Sequence, residues 1–179
     1  MKALVIVDVQ NDFMPTGTLP VPQGDQIIPF INAEMTQGYD LIVATQDWHP
    51  ATHKSFASQH AGKKPFEVIQ LGGIDQILWP DHCVQGTFGA ELHKDLDIRP
   101  ITAIFRKGMN PEEDSYSAFF DNNKQNNTGL HGFLQDKGIT ELVFCGLAGD
   151  FCVAYSANDA KALGYKVSLF DKGIRSINC

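Results

Sequence analysis

The strongest constraint on this chain is an alternation of short, β-branched apolar runs with longer segments of helical period. Residues 3–9 (ALVIVDV) are nearly all apolar, as a strand buried on both faces must be. Residues 41–45, 101–105, 142–145 and 167–170 repeat that pattern. Between them, 25–37, 129–137 and 150–163 read as helices; in the first, Ile27, Ile28, Ile31 and Met35 share one stripe and Gly38 stops it. Strands alternating with helices make βα units, and these make a parallel sheet covered on both faces. The expected fold is therefore α/β, a three-layer α-β-α sandwich around a mainly parallel, doubly wound sheet.

A chain of 179 residues is expected to form one domain, residues 1–179. Residues 46–100 are rich in Gly, Pro, His and Asp and show little period; so long an irregular insertion is usually functional. Residues 109–128 read as loop with no assignable role, and the Asn/Gln cluster at 122–127 as a polar loop. A doubly wound sheet normally closes with a further helix after its fifth strand, so the C-terminal end is expected to be cut short. Fourteen Lys plus Arg against 21 Asp plus Glu leave a net charge of −7. With no basic run longer than Lys63-Lys64, a nucleic-acid partner is disfavoured. The first apolar run stops at Asp8, too short to span a bilayer or to serve as a secretory signal, so no membrane partner and a cytoplasmic location are expected. Cys83, Cys145, Cys152 and Cys179 form no C-x-x-C pair, and free thiols are expected there.

Ligands of an open parallel sheet bind beyond the carboxyl ends of its strands. Strand one ends at Asp8, strand two runs into Asp47-Trp48-His49, strand three into Arg106-Lys107-Gly108, and strand four into the Gly-rich turn before Cys152. Near the start of a helix, Cys152 is expected to have a lowered thiol pKa, with neighbouring N–H groups free to hold an oxyanion. Cys145, inside an apolar strand, reads as core. No His follows Cys152, and His131 lies in a helix-like stretch, so Asp8 is the more economical base: burial at a strand end raises its pKa toward neutrality. Lys107 can bond both Asp8 and a substrate oxygen. Asp47 and His49 point the same way if that stretch is extended, and His82 completes a 2-His-1-carboxylate set for Zn, Fe or Mn. His53 is a candidate fourth ligand; Asp81 and Cys83 flank His82. Phe13, Trp48, Trp79 and Tyr116 offer rings on which a flat substrate could stack.

Taken together, Val5-Ile6-Val7-Asp8-Val9-Gln10-Asn11-Asp12-Phe13, Gln46-Asp47-Trp48-His49-Pro50 with His53, Trp79-Pro80-Asp81-His82-Cys83, Lys107-Gly108, Asp114-Ser115-Tyr116-Ser117 and Gly146-Leu147-Ala148 leading to Cys152 resemble the isochorismatase-like cysteine hydrolases, and among them the nicotinamidase (pyrazinamidase) family. The resemblance implies a catalytic triad of Asp8, Lys107 and Cys152, and a cis peptide at Leu147-Ala148. It further implies an oxyanion hole of the Ala148 and Cys152 amides, and a divalent metal, zinc above iron or manganese, on Asp47, His49 and His82. Phe13, Trp79 and Tyr116 are then the substrate-pocket aromatics. The implied reaction is hydrolysis of nicotinamide, and of pyrazinamide, through a cysteine thioester, in salvage toward NAD. A small-molecule substrate is the implied partner, and a homo-oligomer is compatible with it. Another planar-amide hydrolase, a vinyl-ether hydrolase or a metal-dependent binding protein without turnover are the alternatives.

Overall fold

β1 (Lys2–Val7), the first of the expected strands, lies at the middle of a five-stranded sheet. The computed structural model describes residues 1–178, so the thiol expected at Cys179 lies outside the described residues. On one side of β1 run β2 (Leu41–Asp47) and then β5 (Ala103–Lys107); on the other run β6 (Glu141–Gly146) and β7 (Lys166–Ile174). Every pairing is parallel. Chain order thus reverses direction at β1 and β6, the crevice where a doubly wound sheet binds its ligand.

The period-two alternation of β1 separates two cores. Ala3, Val5 and Val7 pack with Leu130, Leu134 and Ala157 from α2 (Leu130–Asp136) and α3 (Ala154–Ala162). Leu4 and Ile6 face the opposite way, against Ile28 and Ile31 of α1 (Ile28–Glu34). Each such fully buried aliphatic side chain contributes about 1.5–3 kcal/mol. The three layers of the expected sandwich result.

The helix expected over 150–163 is a π-helical turn (Gly149–Val153) followed by α3, the strand expected over 167–170 extends over Lys166–Ile174, and further differences have plain physical reasons. The helix expected over 25–37 is a 3-10 turn (Gly24–Ile27) followed by α1, because Pro29 lacks an N–H and fits only the first helical turn. Lys107 is the last residue of β5 and not the residue after it. Within the insertion, Val68–Leu71 (β3) and Ile74–Ile77 (β4) form an antiparallel hairpin across Gly72-Gly73, both at positive φ. Gly-Gly between two apolar-containing runs is a hairpin signal, and sequence reasoning passed over it.

Residues 175–178, after β7, form no further helix and fold back over the turn before Cys152. Among the described residues no helix is long and apolar enough to cross a membrane.

Candidate active site

Asp8 follows β1 in the left-handed region (φ 46°), a conformation that Asp tolerates better than most residues. Its carboxylate is completely buried; Oδ1 accepts the Thr45 hydroxyl at 2.6 Å, and Oδ2 lies 2.9 Å from Lys107 Nζ. Lys107 Nζ donates to Asp47 Oδ1 (2.5 Å), to the Ser115 carbonyl (2.9 Å) and to Cys152 Sγ (3.4 Å). One buried ammonium therefore gathers two carboxylates and a thiol, and an oxygen of Asp8 and of Asp47 lies within 4.8 Å of Cys152 Sγ.

Burial raises the pKa of Asp8, as expected, and the Asp47 charge adds to this against the opposing pull of Lys107 and Thr45. Burial pulls the Lys107 pKa down, but Asp47 and Asp8 outweigh it and push it well above the ordinary lysine value. Cys152 departs from expectation. Burial pushes its thiol well up, Asp8 and Asp47 push the same way, and the Lys107 charge does not compensate. Cys152 stands in a π-helical turn (Gly149–Val153), and a thiol raised in this way needs a base beside it.

The approach of β6 to β1 makes this crowding possible. Gly146 has φ 116°, and a Cβ there would stand 2.0 Å from the Val7 carbonyl oxygen. Only glycine lets the two strands release Asp8 and the cysteine turn side by side. The Leu147-Ala148 peptide is cis. In the turn that follows, the Gly149, Phe151 and Val153 amides bond to the carbonyls of Arg175, Ala148 and Ala148 respectively, while the Ala148 N–H has no protein acceptor among the described residues.

The second half of the site is built by irregular backbone. Residues 49–57 and 79–85 run side by side: His49 N–H donates to the Cys83 carbonyl (3.0 Å), Gln85 N–H to His49 (2.8 Å) and Trp79 N–H to Ser55 (2.8 Å). His82 thereby meets His49, with ring centroids 4.9 Å apart. Asp47 Oδ2 lies 3.6 Å from His49 Nε2 and 3.9 Å from His82 Nε2. The other nitrogen of each ring faces a backbone carbonyl at 2.8 Å, Gly108 for His49 and Pro80 for His82. With Nδ1 as the donor, both Nε2 lone pairs converge with a carboxylate oxygen, the mixed N/O donor set of a borderline divalent metal. The residues present therefore fit such an ion. Burial tends to raise Asp47, but Lys107 and His49 outweigh it and hold the carboxyl far below its usual range; burial and His49 lower His82.

His53 lies against His49 with its ring tilted (centroids 4.4 Å apart) and also converges with Asp114, yet its ring nitrogens are both engaged. Its Nδ1 accepts the Ser55 N–H at 3.2 Å and faces Ser55 Oγ at 2.7 Å, and its Nε2 faces the Glu113 carbonyl at 3.3 Å. That arrangement leaves His53 supporting His49 from behind. Asp81 turns outward to Ser58, Cys83 sits in the core, and Trp48 lies under the Arg106 guanidinium (3.9 Å), away from the cavity.

Between the two halves is a small pocket. Phe13, Trp79 and Tyr116 line it, with Phe151 as a fourth ring. Asp47, His82, Ala148 and Cys152 line it as well, so a molecule held there meets the metal-type donors and the thiol together. Sequence reasoning missed several supports. Gln10 clamps both backbone groups of Asp47, Nε2 donating to its carbonyl and Oε1 accepting its N–H, each at 2.8 Å. Asp12 Oδ2 accepts the Cys83 N–H (2.7 Å), next to His82. Gly108 (φ 67°) leaves room for His49, since a Cβ would stand 2.3 Å from His49 Cε1. In the loop given no role, Asn122 Oδ1 accepts the Tyr116 N–H at 3.1 Å, and buried Asp114 accepts from Gln76 of β4 at 3.0 Å. Gln10 and Asp12 stand inside a recognised motif, but nothing local shows which distant backbone they bind.

Residues 2–178 match the family described as the Isochorismatase domain. The chain is 48% identical over 181 aligned positions to the nicotinamidase of Escherichia coli (strain K12), covering 99% of this chain and 84% of that protein. Among solved structures, a nicotinamidase/pyrazinamidase of Acinetobacter baumanii superposes with a TM-score of 0.96 at 47% identity, over 99% of this chain and 86% of the other. PnC1 from L. infantum, solved in complex with nicotinate, gives 0.86 at 39% identity, with 99% and 82% covered. The pyrazinamidase of Pyrococcus horikoshii, solved in complex with zinc, gives 0.78 at 38%, with 99% and 87% covered. A doubly wound sheet with a buried acid–lysine–cysteine cluster at its switch point, matched along its length by these relatives, belongs to the isochorismatase family, in its nicotinamidase branch.

Proposed function

We propose that this chain hydrolyses nicotinamide to nicotinate and ammonia, and pyrazinamide by the same route. The observation that carries the reading is the placement of Cys152 Sγ, Lys107 Nζ and the Asp8 carboxylate together beside a pocket lined by aromatic rings. The Asp8 carboxylate, an oxygen of which lies within 4.8 Å of Cys152 Sγ, takes the thiol proton. Sγ adds to the carboxamide carbon, and the Ala148 and Cys152 N–H groups receive the oxyanion. Asp8 passes its proton to the amine as the C–N bond breaks and ammonia leaves, and a thioester remains. Water, giving its proton to Asp8, adds to the thioester and releases nicotinate with the thiol restored. Lys107 keeps Asp8 oriented throughout and balances its charge.

Asp47, His49 and His82 would hold a divalent metal, zinc in preference to iron or manganese, which when bound supplies a Lewis-acidic anchor for the pyridine nitrogen. Phe13, Trp79 and Tyr116 restrict the ring to one plane. Nicotinate made this way would feed NAD synthesis in the cytoplasm; the buried free thiols of Cys83, Cys145 and Cys152 suit a reducing compartment.

The test is release of ammonia and nicotinate by the purified, metal-loaded protein. Turnover by the unsubstituted chain and its loss by several powers of ten in Cys152→Ala are expected. No turnover, or undiminished turnover by Cys152→Ala, removes the reading.

A further inference from the structure

One part of the cavity wall comes from a segment outside every recognised motif. Ile177, within residues 175–178, lines the cavity near Leu19 and packs half-buried against the core. Asp150, two residues before the nucleophile, holds it. Asp150 Oδ1 accepts the Ile177 N–H (3.0 Å), while Oδ2 accepts the Asn178 N–H (3.0 Å) and Asn178 Nδ2 (2.9 Å). The Gly149 N–H adds a bond to the Arg175 carbonyl at 2.7 Å. Bonds to a carboxylate are the stronger kind. Gly149 also lets the segment lie flush on the turn, because a Cβ there would stand 2.6 Å from Ile174 Cγ2 and 2.7 Å from Ser176 Oγ. The segment is thus fastened to the turn that carries Cys152.

We infer that Ile177 is a specificity-determining wall of the substrate site, and that Asp150 is the positioning residue that keeps this wall from retreating. The inference rests on the nicotinamide reading. A ring held at its nitrogen on the Asp47–His82 side and at its carboxamide by Cys152 cannot slide away from an aliphatic wall. A substituent on the edge facing Ile177 therefore collides with it, whereas the unsubstituted ring does not. An apolar pocket discriminates one methyl group by roughly 10–200-fold.

The experiment measures kcat and KM for nicotinamide and for a set of ring-methylated nicotinamides in the unsubstituted enzyme, Ile177→Ala, Ile177→Val and Asp150→Ala. Ile177→Ala is expected to raise kcat/KM for at least one methylated analogue by about tenfold or more relative to nicotinamide, chiefly through KM, with Ile177→Val in between. Asp150→Ala is expected to favour the same analogue and to speed amide hydrogen exchange at Ile177 and Asn178. Unchanged relative kcat/KM for every analogue in Ile177→Ala overturns the wall. If Asp150→Ala lowers kcat equally for all substrates and leaves selectivity unaltered, Asp150 serves the nucleophile turn and its assigned role falls. Absence of nicotinamide turnover in the unsubstituted chain defeats the underlying reading, whereas turnover without a selectivity change defeats this inference alone.

Discussion

The two halves of the site are held in different ways. Asp8, Lys107 and the cysteine turn hang on ends of parallel strands whose side chains fill both cores, so their placement follows from the sheet itself. His49 and His82 sit in irregular backbone, ordered by main-chain bonds between distant segments and by the side-chain clamps of Gln10 and Asp12. Asp47 joins the halves: Oδ1 receives Lys107, while Oδ2 faces the histidines. Chemistry built on strand ends inherits rigidity from the hydrophobic core, whereas binding built on loops needs a dedicated clamp for each ligand. Damage to the first half should therefore appear in kcat and in fold stability, and damage to the second in metal affinity and KM.

The largest expected effect lies in the first half. Asp8→Asn keeps the shape of the buried pocket but removes the proton acceptor, so kcat should fall by about 10²–10⁴-fold with bound metal unchanged. The pH profile checks the assignment. Because the Asp8 pKa is raised, the acid form persists to higher pH than in an ordinary Asp of about 3.9, and kcat/KM should be lost as pH falls through that raised value. Asp8→Asn should lack this acid limb. An acid limb that survives in the variant would place the base elsewhere.

Lys107→Met tests the same half through stability. Lys107 is 2% exposed and pairs with two buried carboxylates, so removing its charge leaves both uncompensated. Breaking a buried pair in this way costs about 3–5 kcal/mol, measurable as a lower urea midpoint in metal-free protein. A loss below about 1 kcal/mol would show that the carboxylates relax independently, and the contrast between core-held and clamp-held halves would weaken.

The second half should respond differently. Gln10→Met preserves volume but strips the clamp from both backbone groups of Asp47. Outer-shell losses typically weaken metal binding by about 10–100-fold, and chelator competition reads this directly. At saturating metal, kcat should return to near the unsubstituted value. A kcat that stays low would mean Gln10 also fixes Asp8 or Lys107, and the two halves would be one unit.

This division also explains what could be read from the sequence. Strand ends are legible because buried parallel strands are continuous apolar runs, and whatever follows them stands at the sheet's rim; Asp8, Asp47, Lys107 and Cys152 were reachable that way. In the loop half the ligand-type residues were legible, but their meeting was not. No local signal brings His82 beside His49, because the bonds that do so join main-chain atoms of residues 49–57 and 79–85. Asp150 and Ile177 were invisible for the same reason. The elevated Cys152 thiol was misjudged because a helix start argues for thiolate, while burial and two nearby carboxylates argue more strongly against it. Pro29 and Gly72-Gly73, by contrast, carried plain local signals that were passed over.

The smallest effect concerns the β3–β4 hairpin, which looks remote from chemistry yet carries Gln76 inward. Gln76 is 1% exposed, and its Nε2 donates to Asp114 Oδ2 and Tyr116 Oη, each at 3.0 Å. Tyr116 keeps a second partner in Trp79 Nε1 at 3.1 Å, so Gln76→Ala loosens the ring without freeing it. One neutral hydrogen bond is worth about 1 kcal/mol, which corresponds to a rise in nicotinamide KM of roughly fivefold with kcat intact. Val68→Thr on the same hairpin is the matched control. Val68 is 55% exposed, and a surface substitution of this kind stays within about ±0.5 kcal/mol and should leave KM unmoved. If both variants shift KM alike, the hairpin acts as a whole platform. If only Gln76→Ala does, a single side chain connects it to the substrate ring, and the loop half is again held clamp by clamp.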